Sequence, residues 1–332
     1  MNFASFPLLL SVMFSSVGLT SQAQKIDQSL VQSVVSPSNF AIASEEIGLP
    51  EIKIPPRVRE GASKAVANAQ NYILVDPDSG TIFAKSNHRD RVPIASTTKI
   101  MTAALVMENY KLSDVVTVSS AAANQIGADA HLQTGEKITV HNLLKALLVK
   151  SANGAAYALA EHMNTLPCHP REGGDPCDSN VTGVTKFVSK MNEKAKELGM
   201  NDTDYHDPAG LDVTGYSSAF DLAIITKYAM QNETVRQIVK TKEASITDVS
   251  GNIWHKLENS NRLVREWDYP GAIGVKTGFM PEAGHCLVGA ATRDGHTLIA
   301  VVLKTFADTP SASAEEARRL LDWGFANVAW GN

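Results

Sequence analysis

Ser96-Thr97-Thr98-Lys99, Ser151-Ala152-Asn153 and Lys276-Thr277-Gly278 occur in that order along the chain. Together they contain what a lysine-activated serine needs for acyl transfer. Ser96 supplies a hydroxyl nucleophile. Lys99, three residues on, is placed one helical turn away, where its amine reaches that hydroxyl. A lysine acts as a base near neutral pH only when desolvation or a neighbouring cation lowers its pKa, and Lys276 is a candidate for that cation. Ser151 is then a proton relay toward the leaving group, and Asn153 a hydrogen-bonding partner for a substrate amide. A single S-x-x-K arises by chance about once in a chain of this length. The weight lies in the triple.

The elements needed to hold these words are readable around them. Pro93 marks entry into the helix carrying Ser96, since proline is tolerated at or before a first turn. A serine there faces the positive end of the helix and keeps an unpaired N–H, one donor for an oxyanion. Lys276-Thr277-Gly278 closes the apolar run Ile273-Gly274-Val275 and is expected on a strand edging a cleft, where an extended peptide adds alongside. On that strand Gly278 admits a close backbone, Phe279 N–H is the second oxyanion donor, and Lys276 with Thr277 binds a terminal carboxylate.

Residues 72–75 and 81–84 around Asp76-Pro77-Asp78-Ser79-Gly80 read as a β-hairpin, and residues 272–276, 285–292 and 297–303 as three further strands. Helical patterns cover residues 97–110, 141–149, 153–163, 184–198, 218–231 and 315–325, with Ser218-x-x-Asp221 as a start signal. The fold expected is α/β of the α+β type: a five-stranded antiparallel sheet made from both ends of the chain, flanked by helices, with a helical subdomain between and a cleft where they meet.

The chain has 332 residues, 44% hydrophobic and 20% charged, with a net charge of −5. Nothing in that balance suggests nucleic acid as a partner. Residues 1–24 carry no charge and contain an apolar run ending near Ser21-Gln22-Ala23. They resemble an export signal over residues 1–23, or an uncleaved anchor, and place the body of the protein outside the cytoplasm, in the periplasm or at the envelope exterior. Membrane contact is expected only through that segment, if it is uncleaved. Residues 24–62 read as a linker, and residues 63–332 as the catalytic domain. Of three cysteines, Cys168 and Cys177 fall in one Gly- and Pro-containing segment and are candidates for a local disulfide; with His169 they match no common zinc spacing. No metal, nucleotide or dinucleotide fingerprint is present, so no cofactor is expected. His206-Asp207 invites a Ser-His-Asp reading, but a lysine base already fits, and His206 reads as a loop histidine.

At Ala95-Ser96-Thr97-Thr98-Lys99-Ile100-Met101-Thr102, Asp207-Pro208-Ala209-Gly210-Leu211-Asp212, Ser260-Asn261-Arg262-Leu263, Gly274-Val275-Lys276-Thr277-Gly278-Phe279 and Glu282-Ala283-Gly284-His285-Cys286-Leu287, the chain resembles the D-alanyl-D-alanine carboxypeptidases. These are low-molecular-mass penicillin-binding proteins, peptidase family S11. The resemblance runs from about residue 71 to 325. It implies a fold like the serine β-lactamases and transpeptidases, and removal of the terminal D-alanine from peptidoglycan pentapeptides through a Ser96 acyl-enzyme. It also implies stem peptides as partners and β-lactams as covalent inhibitors. Gly154 stands where the family often has Asp, and residues 165–182 look inserted between two helices. Many members continue into a β-rich second domain and an amphipathic anchor; this sequence ends at Asn332. The same residues also suit a D,D-endopeptidase cutting cross-links, while intact Ser96, Lys99 and Lys276 argue against a catalytically silent peptidoglycan-binding protein. A β-lactamase needs a deacylating E-x-x-x-N word, and none is convincing here.

Overall fold

A computed structural model describes residues 55–165 and 181–331. Five strands form one antiparallel sheet: β1 (Ala69–Val75), β2 (Ile82–Ser86), β3 (Ala272–Met280), β4 (Gly284–Arg293) and β5 (His296–Thr305). Their spatial order is β2-β1-β5-β4-β3, so strands from both chain ends share the sheet, and β3 is an edge. Val301 is the hinge of the register, opposite Ile73 on one side and Val288 on the other.

The central strands read as continuous apolar runs because both faces of the sheet are covered. Period-2 alternation sends Ile73 and Val75 of β1, and Ile299, Val301 and Leu303 of β5, into the larger core beneath the helical region. Tyr72, Leu74, Leu298, Ala300 and Val302 point the other way, onto a C-terminal helix at Ala312–Asn327 through Ala317, Leu320 and Leu321. The β1–β2 turn is closed by Asp76, whose Oδ1 accepts from the N–H groups of Asp78 and Ser79 at 2.9 and 2.8 Å.

The helical region is built on α1 (Lys99–Asn109), buried along its first eight residues and therefore apolar nearly all round. Around it stand α2 (Val140–Lys145), α3 (Asn153–Glu161), α4 (Gly183–Glu197), α5 (Ala219–Ala229) and α6 (Glu233–Val239). The start signal expected at Ser218 is present, with Ser218 Oγ accepting from Asp221 N–H at 3.1 Å. Helix α6 and two ribbons, Val115–Thr117 with Lys137–Thr139 and Glu243–Thr247 with Trp254–Glu258, were not anticipated. Each ribbon strand buries only one or two side chains, too few for a period to show in sequence.

Arg57–Val58, assigned from sequence to the linker, pair antiparallel with Val328–Ala329. The export segment, the rest of the linker, and Cys168, His169 and Cys177 lie outside the described residues. The third cysteine, Cys286, is buried and unpaired in β4. Among the described residues no helix is long and apolar enough to cross a membrane, and no group of three His, Cys, Asp or Glu is placed to hold a metal ion.

Candidate active site

Ser96 and Lys99 meet across a junction between two kinds of helix. Residues Ala95–Thr98 form a 3-10 turn and α1 begins at Lys99, so the serine sits just before the α-helix, not on its first turn as the sequence suggested. In a 3-10 turn side chains at i and i+3 eclipse, which brings the amine over the hydroxyl. Lys99 Nζ lies 2.8 Å from Ser96 Oγ. Thr97 N–H is taken by Ile94 O and Lys99 N–H by Ser96 O, whereas Ser96 N–H donates to no described residue.

Lys99 is 0% exposed. Its other neighbours are Asn153 Oδ1 and Ala209 O, each at 2.7 Å. Both are acceptors, so a neutral amine donates its two hydrogens to them and aims its lone pair at the Ser96 hydroxyl. The electrostatics favour that neutral form. Burial first, and the Lys276 charge second, hold the Lys99 pKa well below the ordinary lysine value, while Asp207 opposes them. The sequence allowed either desolvation or the Lys276 charge as the cause; both act, and desolvation is the larger.

The nucleophile turn is strained and clamped. Ala95 has φ 46°, a left-handed conformation unusual for a residue with a Cβ. Gly210, at φ 77°, lies so close beneath it that a Cβ would come within 2.0 Å of Ala95 O. On the other side Gly278 packs where a Cβ would stand 2.9 Å from Ile94 O and 3.2 Å from Ser96 N. Sequence reasoning reserved the space at Gly278 for substrate; the Ser96 turn also occupies that flank.

The second word lies where α2 runs into a π-helical turn, Ala146–Lys150. That turn ends at Ser151 in a left-handed conformation, φ 68°. Ser151 is buried, and its hydroxyl makes no hydrogen bond to a described residue. Asn153 opens α3 and is engaged at both ends, Oδ1 by Lys99 and Nδ2 by Ile126 O at 2.5 Å. Its Oδ1 thus helps fix the Lys99 amine, and one Nδ2 hydrogen remains for the substrate contact expected of it. Gly154 has a reason of its own here: a Cβ would lie 2.7 Å from Ala122 O.

The third word lies on β3, the sheet edge, as expected, although the strand runs on through Met280. Lys276 is 1% exposed and its amine donates to Thr277 O at 3.0 Å. Burial lowers its pKa to about 7. Thr277 Oγ1 is 2.6 Å from Ser260 Oγ, and Phe279, 56% exposed, stacks on His285 at 4.4 Å. His206 turns to Thr214 and Asp204, at 2.7 and 3.1 Å, and makes no hydrogen bond to Ser96. Sequence reasoning gave no role to the Ala209 carbonyl or the Ile126 carbonyl. Asp207-Pro208-Ala209-Gly210 entered only as part of the resemblance, which does not say which backbone atom the first loop presents.

The D-alanyl-D-alanine carboxypeptidase model of peptidase family S11 matches residues 59–165 and 178–307. The chain belongs to that family. The match passes over residues 166–177, inside the segment that looked inserted. Among relatives, the D-alanyl-D-alanine carboxypeptidase of Streptomyces sp. strain K15 is 35% identical over 272 residues, 79% of this chain and 88% of that protein. The carboxypeptidase DacF of Bacillus subtilis strain 168 is 35% identical over 271 residues, 80% of this chain, and this chain spans 64% of its length. A D-alanyl-D-alanine endopeptidase of Haemophilus influenzae is 31% identical over 226 residues, 67% of this chain and 70% of that protein. The crystal structure of the Streptomyces K15 DD-transpeptidase superposes with a TM-score of 0.70 at 34% identity, covering 80% of this chain and 100% of that one. The antiparallel sheet with flanking helices is therefore the fold of these penicillin-binding transpeptidases.

Proposed function

We propose that this family member is a serine-type D-Ala-D-Ala carboxypeptidase that removes the terminal D-alanine from peptidoglycan pentapeptides and is acylated by penicillins. The observation that carries the reading is the buried Lys99 amine, 2.8 Å from Ser96 Oγ, with its other two contacts both acceptors. Lys99 takes the Ser96 proton as the oxygen attacks the penultimate carbonyl. Ser96 N–H and Phe279 N–H face the developing oxyanion. Ser151 passes the proton to the departing D-alanine amine, and Lys276 with Thr277 holds its carboxylate. Water then releases the shortened peptide from Ser96. Such a substrate lies outside the cytoplasm, in keeping with the export-like segment at residues 1–23.

A second reading is favoured by the likeness to an endopeptidase: the same acyl-enzyme formed on a cross-linked peptide, with the amine of the neighbouring stem as leaving group. Mass analysis of products from pentapeptide and cross-linked muropeptides separates the two. The carboxypeptidase reading expects loss of one alanine from the pentapeptide with cross-links left whole. Cleaved cross-links with intact pentapeptide would replace it with the second.

A further inference from the structure

The base has a partner that none of the three words supplies. Ala209 O, 2.7 Å from Lys99 Nζ, belongs to a loop, and a loop carbonyl aims a catalytic amine only if the loop itself is fixed. Asp207 gathers it. Its Oδ1 accepts the N–H groups of Ala209 and Gly210 at 2.6 and 2.7 Å, and its Oδ2 those of Leu211 and Asp212 at 2.8 and 2.6 Å. Four successive backbone donors thus converge on one buried carboxylate, each bond charge-assisted. Thr102 Oγ1 of α1 ties the same loop down through Pro208 O at 2.6 Å.

We infer that Asp207 is a positioning residue for the base, holding its loop so that the Ala209 carbonyl, with Asn153 Oδ1, turns the Lys99 lone pair toward Ser96. The inference rests on the reading of Ser96 and Lys99 as nucleophile and base. It separates Asp207 from His206, with which a triad invited pairing: the carboxylate serves a lysine through backbone, not an imidazole. Its charge matters as well as its shape. The charged groups facing Lys99 are Lys276 from β3, which favours loss of the lysine proton, and Asp207 from the loop, which opposes it; Asn153 from α3 is neutral. Around Asp207 itself stand Tyr157 of α3 and Asp212 of its own loop.

Asp207→Asn offers one acceptor oxygen where four donors converge and turns an NH2 toward some of them, so Ala209 O is released. It also removes the charge that keeps a proton on Lys99. The first effect lowers the plateau rate of acylation; the second moves the acid limb of the pH profile to lower pH. Loosening alone would admit water and move the limb the opposite way. Asp207→Glu keeps the charge but sets the oxygens one bond too far out, and should lower the plateau without moving the limb to lower pH.

The test is the rate of Ser96 labelling by a fluorescent penicillin against pH, for wild type and both variants, with thermal melting as the check on folding. Asp207→Asn is expected to lose about 10²-fold at the plateau, the scale of a misplaced catalytic group, with its acid limb displaced downward. A folded Asp207→Asn with the wild-type plateau and limb overturns the inference; if that variant does not fold, a wild-type plateau in Asp207→Glu does so alone. A wild-type chain that takes up no penicillin overturns the nucleophile reading beneath it, a failure distinct from normal labelling by the variants.

Discussion

Two buried lysines lie close enough for one charge to act on the other, one on the helical wall and one on the sheet, and they are equipped differently. On the helical wall Lys99 has three neighbours within 2.8 Å, and one of them is the Ser96 hydroxyl. On the sheet wall Lys276 has one hydrogen-bonding neighbour among the described residues, the carbonyl of the next residue, at 3.0 Å. An amine whose donors are fully used has only its lone pair left to offer, whereas an ammonium with donors to spare calls for an anion. The proposed mechanism accordingly uses the first as a base and the second as an anion site. Residue type does not distinguish them; the surrounding acceptors do.

Removing the helical lysine should have the largest effect. Lys99→Ala is expected to fold and still bind penicillin but to acylate about 10²- to 10⁴-fold more slowly, the usual worth of a general base, as measured by stopped-flow or quenched labelling. Normal labelling in that variant would break the contrast at once. On the sheet wall, Gly278→Ala pushes a methyl into Ile94 O and Ser96 N, and should slow acylation on the order of tenfold by shifting the nucleophile. Because Lys99 is untouched, the acid limb of its pH profile should stay where it is in wild type.

Lys276→Ala sharpens the contrast through the substrate. A charge-assisted contact to a carboxylate is worth roughly 1.5–3 kcal/mol, so the preference for a peptide with a free over an amidated C-terminus should fall by about 10- to 100-fold. Equal turnover of the two peptides by wild type would contradict a carboxylate-reading role. The smallest effect is a matter of sign with pH. Lys99 works without its proton, so kcat/KM rises as pH climbs through its lowered pKa; Lys276 works with its proton, so kcat/KM falls again above about 7. A bound carboxylate stabilises the Lys276 charge, which should place the alkaline limb of kcat higher than that of kcat/KM. An alkaline limb that persists unchanged in Lys276→Ala would assign it elsewhere.

The sheet wall was the more legible in sequence. Apolar runs in β4 and β5 and the Lys276-Thr277-Gly278 word fixed the edge strand, because strand periodicity and a two-sided core leave a direct imprint on residue type. The helical wall was legible in its side chains and opaque in its backbone. Ser151 at φ 68° and Ala95 at φ 46° carry no glycine or asparagine to announce a left-handed turn. The π turn before Ser151 looks like ordinary helix, since its residues are good helix formers. Ala209 and Ile126 act through carbonyls, which every residue possesses, so only coordinates reveal them. Asn153 shows the same limit, being legible as part of the site while its grip on Lys99 was not.

The central claim is that Lys99 activates Ser96, and the most direct measurement is peptide mapping by mass after exposure to penicillin, with Ser96→Ala and Lys99→Ala run beside the wild type. The account predicts one adduct, carrying the full mass of the drug, on the peptide containing Ser96. It predicts none in Ser96→Ala, and the same adduct accumulating far more slowly in Lys99→Ala. An adduct on any other serine, or one that forms in Lys99→Ala at the wild-type rate, would contradict it.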